Sequence, residues 1–353
     1  MTANSDLEKL IESIPKLDKS WEEKAHDYLN SLAMPPGALG QIHDLTKKLC
    51  TIQQTLKPDV SKALCVLSVA DHGVVAQGVS KYPQITNAIV KTASAGGAAI
   101  NAFCRQSKSD FKIIDFGLVG DYLSPEPNQH PVINCKVAHG TADMSLGPAM
   151  TEEQCLEAIL AGAEKGKTWS QDYDVFIPGE MGIGNTTAAS AIFAAFSGLS
   201  ADTVTGPGTG LEGDALEHKK QVIKKALEVN SPRKGDAFDC LMKVGGLEIA
   251  GMVGLILGFA SQGKTILLDG FITSSAALIA TGLCPASQAY MLAGHQSAEP
   301  AHAKMLDELN LDAILKLDMR LGEGIGAALA LNTLQASCEV MQSMMTLDEA
   351  LKL

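Results

Sequence analysis

The sequence predicts an α/β fold: a three-layer, Rossmann-like parallel sheet covered by helices on both faces. Short apolar runs alternate with helical segments along most of the chain, which is the element order that builds a parallel sheet. The runs are apolar throughout and do not alternate, as expected for strands buried on both faces. Each run ends in a turn of Gly, Asp, His or Ser residues, and right-handed crossovers place such turns along one edge of the sheet.

The first 60 residues are expected to be helical and to lie beside the sheet. Ser20-Trp-Glu-Glu23 has the pattern of a capping box that opens a helix. The sequence Pro35-Pro-Gly37 interrupts the helical pattern, which resumes from Leu39 to Leu56.

The strands and helices of the remaining chain follow in order. Apolar runs predict strands at residues 62–70, 111–116, 133–137, 175–177, 265–268, 288–293 and 314–321. Helices are predicted at 86–99, 151–169, 216–229 and 244–260, and from Asn185, from Ser274 and after Gly324. Residues 120–131 are predicted to form a loop rich in Pro and Asn.

Composition excludes several classes of partner. A net charge of −12 and a pI of about 5.1 disfavour nucleic acid and anionic membranes. The eight cysteines are scattered without a C-x-x-C pair, which is typical of free thiols in a reducing cytoplasm, and no signal peptide is visible. The apolar segment 244–260 is short for a membrane span and contains Glu248, so we expect a buried helix.

The stretch from Asp174 to Ala189 is the strongest functional signal. A predicted strand runs into Gly179-Glu-Met-Gly-Ile-Gly184 and then into a helix opened by Asn-Thr-Thr, whose side chains we expect to act as caps. A glycine loop at a helix N-terminus binds anions, because free N–H groups and the helix dipole point at the ligand. Glu180 lies within this loop and would repel a phosphate, so it is expected to face a neutral, cationic or proton-donating group. The loop matches neither a Walker motif nor a dinucleotide fingerprint, and a ligand-free turn is the alternative.

A second glycine loop, Thr205-Gly-Pro-Gly-Thr-Gly210, precedes a lysine-rich helix. This loop, the first loop and a lysine (Lys219 or Lys220) suit a single phosphate group. Glu180 and Glu323 each stand between glycines and suit proton transfer if burial raises their pKa. Taken singly, Glu323 could be a first-turn acid of a helix and either lysine part of a solvated face.

A metal-dependent hydrolase is the competing interpretation. Asp71, His72, His139, Asp269 and His295 could form a metal site in principle, but they lack H-x-x-x-H or H-E-x-x-H spacing. A third alternative is a non-catalytic protein that binds an azole base or its riboside. We expect no metal and no cofactor.

Seven segments, in order, resemble one known family. They are Pro35-Pro-Gly-Ala-Leu-Gly40, Asp71-His-Gly73 with Gly78-Val-Ser-x-x-Pro-Gln84, Gly179-Glu-Met-Gly-Ile-Gly-Asn-Thr-Thr187, Thr205-Gly-Pro-Gly-Thr-Gly210, Leu268-Asp-Gly-Phe271, His295-Gln-Ser-Ala-Glu-Pro300 and Arg320-Leu-Gly-Glu-Gly324. The chain thereby resembles the nicotinate-nucleotide–dimethylbenzimidazole phosphoribosyltransferases over nearly its whole length. Pro207 stands where that family often has Arg, Ala38 where it often has Ser, and Ile325 where it often has Thr.

The resemblance implies a reaction and a set of residues. Phosphoribose would pass from nicotinate mononucleotide to 5,6-dimethylbenzimidazole, with Glu323 as general base and Glu180 as a second catalytic carboxylate. The implied phosphate and ribose contacts are Gly182, Gly184, Thr209, Gly210, Lys219 and Ser297, and the implied base contacts are Ser80, Gln84 and Met181.

The resemblance also implies a homodimer and a small helical domain built from both chain ends. Residues 1–60 would form one part of that domain. Residues 61–310 would form the large α/β domain. Residues 311–353 would carry the catalytic glutamate and complete the small domain.

Overall fold

The computed structural model describes residues 3–120 and 130–353. In these ranges seven parallel strands form one sheet in the order β3-β2-β1-β4-β5-β6-β7. The strands are β1 (Ala63–Ala70), β2 (Asp110–Gly117), β3 (Val132–Asn134), β4 (Val175–Met181), β5 (Thr265–Leu268), β6 (Met291–His295) and β7 (Ala313–Leu315). Separate apolar clusters fill the two faces of the sheet, so the predicted three-layer α/β fold is confirmed.

Fifteen helices are described. They are α1 (Ala3–Glu12), α2 (Ser20–Ser31), α3 (Gln41–Gln53), α4 (Thr86–Ser94), α5 (Ala99–Ser107), α6 (Glu152–Trp169), α7 (Asn185–Ser197), α8 (Ala201–Val204), α9 (Gly213–Asn230), α10 (Ala237–Val244), α11 (Leu247–Ala260), α12 (Phe271–Leu283), α13 (His302–Glu308), α14 (Ile325–Ser343) and α15 (Leu347–Ala350). Two 3-10 segments lie at Gly73–Gln77 and Pro285–Tyr290. Among the described helices, none combines the length and apolarity needed to cross a bilayer.

The strand order positions the site. The chain moves outward in one direction from β1 to β3 and in the other from β4 to β7, so the order reverses between β1 and β4. Ligands of open α/β sheets bind outside the carboxyl ends of the strands at such a reversal. Here β1 runs into Asp71-His72 and β4 carries Glu180 into the first glycine loop.

Glycines separate consecutive helices at two places. The predicted helix 86–99 is wrong, because α4 ends at Ser94 and the turn at Gly96, with φ of 76°, separates it from α5. Thr86 does not cap α4, since Ile85 holds the cap position and the Thr86 hydroxyl accepts a hydrogen bond from Ile183 N at 3.2 Å. In the same way Gly245-Gly246 separates α10 from α11.

Other local predictions also need correction. The capping box at Ser20 is wrong, because the Ser20 hydroxyl and backbone N–H both donate to the carboxylate of Asp18. The predicted strand 288–293 begins only at Met291, after a 3-10 segment that opens with Pro285. The predicted strand 314–321 ends at Leu315. Most of the predicted loop 120–131 lies outside the described residues.

The apolar helix α11 is buried along its full length and packs against α6. Small residues let the two backbones approach closely: a Cβ at Gly254 would lie 1.9 Å from Ile159 O, and one at Gly162 would lie 2.1 Å from Gly251 O. The prediction of a buried helix is therefore confirmed. All eight cysteines are free thiols, and all but the half-buried Cys135 are buried.

Helices from the N-terminal and C-terminal parts of the described chain pack together. Helices α2, α3 and α14 pack together around Leu29, Leu32, Cys50 and Met341, and Leu32 forms an antiparallel bridge with Thr346. Helix α1 packs elsewhere, against α6 and α11. The division into domains at residues 60 and 310 remains a prediction.

Gly254→Ala is expected to lower the free energy of unfolding by about 1–3 kcal/mol, because the added methyl group forces α6 and α11 apart. Urea unfolding measures the change. Gly147→Ala is the control, since a Cβ there meets nothing within 4 Å and should leave stability nearly unchanged. Equal stability of the two variants would contradict the close contact of the helices.

Candidate active site

A cavity of about 210 Å³ opens beside the carboxyl ends of β4, β5 and β6. Of the residues predicted from the sequence, those that line it are Ser80, Glu180, Met181, Gly182, Gly184, Thr209, Lys219, Ser297 and Glu323. A second cavity of about 480 Å³ adjoins it, and both are lined by Tyr82, Gly208, Thr209, His295, Arg320, Leu321 and Gly322. The structure thus brings nine of the eleven predicted residues to one place.

Two predicted residues do not line either cavity. Gln84 donates a hydrogen bond from Nε2 to Asp71 Oδ1. The second Asp71 oxygen accepts from Val119 N at 2.7 Å. Gly210 has φ of 106° and donates its N–H to Pro207 O at 3.0 Å, so it shapes the second glycine loop.

The glycine positions of the first loop leave no space for a side chain. A Cβ at Gly182 would lie 2.6 Å from Ala70 O, and Gly184 has φ of 93° at the N-cap of α7. The expectation that residues 185–187 supply caps is wrong. Asn185 Nδ2 donates to Glu180 Oε2 instead, and the Thr186 hydroxyl accepts from Lys219.

Lys219 joins the two glycine loops. Its Nζ donates to Thr186 Oγ1 at 3.0 Å and to Gly206 O at 3.2 Å, and the side chain is 1% exposed. An ammonium group has three donors, so one remains for a ligand. Burial lowers the pKa of Lys219 to about 8, partly offset by the charge of Glu299. The neighbouring Lys220 is half-buried and pairs with Glu217 at 2.5 Å.

Glu180 is a buried carboxyl group between two donors. Oε2 accepts from Asn185 and Oε1 accepts from Glu323 N at 3.3 Å. Burial raises its pKa well above the ordinary value, and the charge of Asp269 raises it further, against the effect of the two hydrogen bonds. A carboxyl group in this environment binds a proton more readily than one in water.

Glu323 adopts a backbone conformation that is unusual for a residue with a side chain. Its φ is 63°, between Gly322 at 85° and Gly324 at 95°. A Cβ at Gly322 would lie 2.2 Å from Glu180 Oε1, and a Cβ at Gly179 on β4 would lie 2.4 Å from Glu323 O. Positions 179 and 322 must therefore both be glycine. Strained backbone of this kind is concentrated at functional sites.

The carboxyl group of Glu323 is poised to accept a proton. Burial raises its pKa, the N–H of Ile100 in α5 opposes the rise, and the charge of Asp269 adds to it. Oε2 is buried and has no hydrogen-bond partner among the described residues.

Asp269 anchors the segment that carries Glu323. Its two oxygens accept from Gly324 N at 3.2 Å and from Ala327 N at 3.1 Å, which satisfies amides at the N-terminus of α14. His295 Nε2 lies 3.3 Å from Asp269 Oδ1, and His295 Nδ1 finds no partner in the described chain.

Ser297 is held by a neutral histidine. Its backbone N–H donates to His302 Nδ1 at 2.8 Å, so that nitrogen carries no proton and Nε2 donates to Ser274 Oγ at 2.9 Å. Burial, together with the charge of His295, lowers the pKa of His302 to about 3.

A buried ion pair lies behind the first loop. His72 Nε2 and Glu248 Oε1 are 2.6 Å apart, and a Cβ at Gly182 would lie 3.2 Å from each. Burial lowers the pKa of His72, but the charge of Glu248 and the hydrogen bond outweigh it, so that the pKa is raised.

In residues 3–120 and 130–353, no three His, Cys, Asp or Glu side chains are arranged to hold a metal ion.

The site residues that were not predicted from the sequence include Asn185, Glu299 and Arg320. Glu299 and Arg320 fall within the motifs quoted for Ser297 and Glu323, and that position was the available signal. Asn185 was assigned to capping, and nothing in the sequence indicates that its partner is Glu180.

The site therefore has two chemically different sides. Glycine loops, a helix N-terminus and Lys219 present hydrogen-bond donors to an anion. Glu180 and Glu323 present carboxyl groups with raised pKa values to the same cavity. This arrangement can hold a phosphorylated substrate while a carboxylate removes a proton.

Comparisons with known proteins agree with this geometry. Residues 14–351 match the family model described as phosphoribosyltransferase. The nicotinate-nucleotide–dimethylbenzimidazole phosphoribosyltransferases of Desulforamulus reducens and Syntrophotalea carbinolica are each 42% identical to the chain, over 98% of both sequences. The crystal structure of the enzyme of that name from Thermus thermophilus has a TM-score of 0.88 at 37% identity, covering 94% of this chain and 98% of that one.

Lys219→Met is expected to weaken the binding of inorganic phosphate by about tenfold or more, because a charge-assisted hydrogen bond is lost. Isothermal titration calorimetry at pH 7 measures the affinity. Lys220→Met is the matched control and should bind as the unmodified protein does. Equal losses in both variants would show that only net charge matters and would exclude a specific contact with Lys219.

Proposed function

Since the chain belongs to the nicotinate-nucleotide–dimethylbenzimidazole phosphoribosyltransferase family, we propose that it transfers 5-phosphoribose from nicotinate mononucleotide to 5,6-dimethylbenzimidazole. The products are α-ribazole 5′-phosphate and nicotinate, in the assembly of the cobalamin nucleotide loop. The observation that carries this proposal is a single cavity lined both by Lys219 with two glycine loops and by Glu180 and Glu323.

The phosphate of the nucleotide occupies the donor-rich side. Gly182 and Gly184 bring the N-terminus of α7 to the cavity, and Thr209 and Ser297 add hydroxyl groups. Lys219 supplies the positive charge that a phosphate monoester requires. The phosphate thus fixes the ribose with its anomeric carbon toward the carboxyl groups.

Glu323 acts as the general base. One ring nitrogen of dimethylbenzimidazole attacks C1′ of the ribose while the N–H proton of the other ring nitrogen passes to the Glu323 carboxylate. The bond from C1′ to the pyridinium nitrogen breaks, and its electron pair converts the cationic ring into neutral-ring nicotinate. A raised pKa suits this task, because a base works best when its pKa lies nearer the working pH.

Glu180 stabilises positive charge on the sugar. The ribose becomes oxocarbenium-like as the pyridinium leaves, and preorganised negative groups lower the energy of that state. The bound pyridinium cation also favours the ionised form of Glu180, which opposes the effect of burial on its pKa.

The aromatic base packs on the apolar side of the cavity. Ser80 and Met181 line this side together with Tyr82 and Leu321, whose side chains are 46% and 62% exposed. We also propose a homodimer, as the resemblance to this family implies. Gln84 acts through Asp71, outside the cavity.

A cytoplasmic location is in keeping with eight free thiols.

Chromatography of the pure protein with nicotinate mononucleotide and dimethylbenzimidazole tests the function. We expect nicotinate and α-ribazole 5′-phosphate in equal amounts. Binding of dimethylbenzimidazole without release of nicotinate would indicate a carrier protein. Release of nicotinate without the base, abolished by chelation, would indicate a metal-dependent hydrolase.

In the same assay Glu323→Gln is expected to lower turnover by about 100-fold or more, because the proton acceptor is lost. Binding of nicotinate mononucleotide should persist, since Glu323 is not among the proposed phosphate contacts. Full activity of Glu323→Gln would remove this residue from the role of base.

A further inference from the structure

We propose that Glu299 is a positioning residue of the anion site, whose carboxylate fixes the loop 205–210 and keeps Lys219 in its charged form. This inference rests on the proposed function to the extent that the natural anion is the phosphate of the nucleotide. Glu299 lines the cavity, but it acts on the anion through the loop and through Lys219 and takes no part in the transfer itself.

The loop is built around the carboxylate. A Cβ at Gly206 would lie 1.8 Å from Glu299 Oε2, so the carboxylate occupies the space that a side chain at Gly206 would need. Gly208 donates its backbone N–H to the same carboxylate. Glu299 is itself fixed, since its N–H donates to Ser297 Oγ at 3.0 Å. Glu299 therefore holds two positions of the loop that faces the cavity.

Lys219 contacts the same loop. Its Nζ donates to Gly206 O at 3.2 Å, and a Cβ at Gly208 would lie 3.2 Å from that Nζ. Glu299 and Lys219 are both buried, at 8% and 1% exposed. A buried ammonium group loses its proton easily unless a negative charge is near.

The charges around the pair are few. Glu299 is the charged group that raises the pKa of Lys219 against burial. Lys219 and Arg320 are the cations that lower the pKa of Glu299 against burial. On the helix of Lys219, its neighbour Lys220 pairs outward with Glu217. Loss of the Glu299 charge thus leaves Lys219 without compensation for its burial.

The position of Glu299 has two opposing effects on an anion. Its negative charge repels the anion at every pH, whereas its support of Lys219 matters only where Lys219 is close to losing its proton. Removal of the charge should therefore make anion affinity, relative to that of the unmodified protein, fall as the pH rises. A merely structural role would lower affinity by one factor at all pH values.

Sulfate is the probe, because its charge stays constant from pH 6 to pH 9 while that of phosphate does not. Calorimetry with the unmodified protein should give an affinity that is steady at low pH and falls above about pH 8, where Lys219 loses its proton. In Glu299→Gln the fall should begin at a lower pH, by up to about one unit, because the charge that opposes the effect of burial on the pKa of Lys219 is removed.

Three further variants sharpen the test. Glu299→Asp keeps the charge and should keep the pH at which the fall begins, even if affinity drops. Glu308→Gln changes an exposed glutamate of α13 and should reproduce the unmodified profile. Gly206→Ala displaces the carboxylate and should shift the fall as Glu299→Gln does, which provides a second test if Glu299→Gln does not fold.

Parallel pH profiles that differ by one factor would overturn the proposal. Sulfate binding does not require the transfer reaction, so the two proposals fail separately. A shifted profile in a protein that releases no nicotinate would overturn the function alone, and an unshifted profile in an active transferase would overturn the role of Glu299 alone.

Discussion

The carboxylate of Asp269 determines where Glu323 lies. Asp269 follows β5, and its oxygens accept the N–H groups of Gly324 and Ala327, so the N-terminus of α14 is tied to the end of the central sheet. Glu323 directly precedes Gly324, the first of these two residues. Glu180, on the neighbouring strand β4, accepts the N–H of Glu323 from the other side. A strained residue is thereby fixed by two carboxylates from adjacent strands.

Burial gives the two sides of the cavity their chemistry. It disfavours every charged form, so it lowers the pKa of Lys219 and raises the pKa values of Glu180 and Glu323. Both changes bring these groups closer to titration near neutral pH. An anion restores the charge of Lys219, and a cationic ring restores that of Glu180, so a zwitterionic nucleotide matches the site better than either charge alone.

The sequence predicted the fold because strands buried on both faces have a simple apolar pattern, and it predicted the loops because glycine positions are local signals. The residue pattern alone could not choose between Lys219 and Lys220, since that choice depends on which face of α9 meets the loops, and only the family resemblance favoured Lys219. Nor could it find that Asn185 bonds Glu180 or that Glu299 fills the space at Gly206. Those contacts join residues whose proximity is set by the folded sheet.

The single-turnover rate of Asp269→Asn, with nicotinate mononucleotide saturating, tests the anchoring of Glu323 most directly. An amide has one acceptor oxygen for the two N–H groups of Gly324 and Ala327, so the segment should shift. We predict that the transfer step slows by about 100-fold, as misplacement by roughly 1 Å can cause, while nucleotide affinity changes by less than about twofold. An unchanged rate, or an equal loss of affinity and rate, would contradict the account.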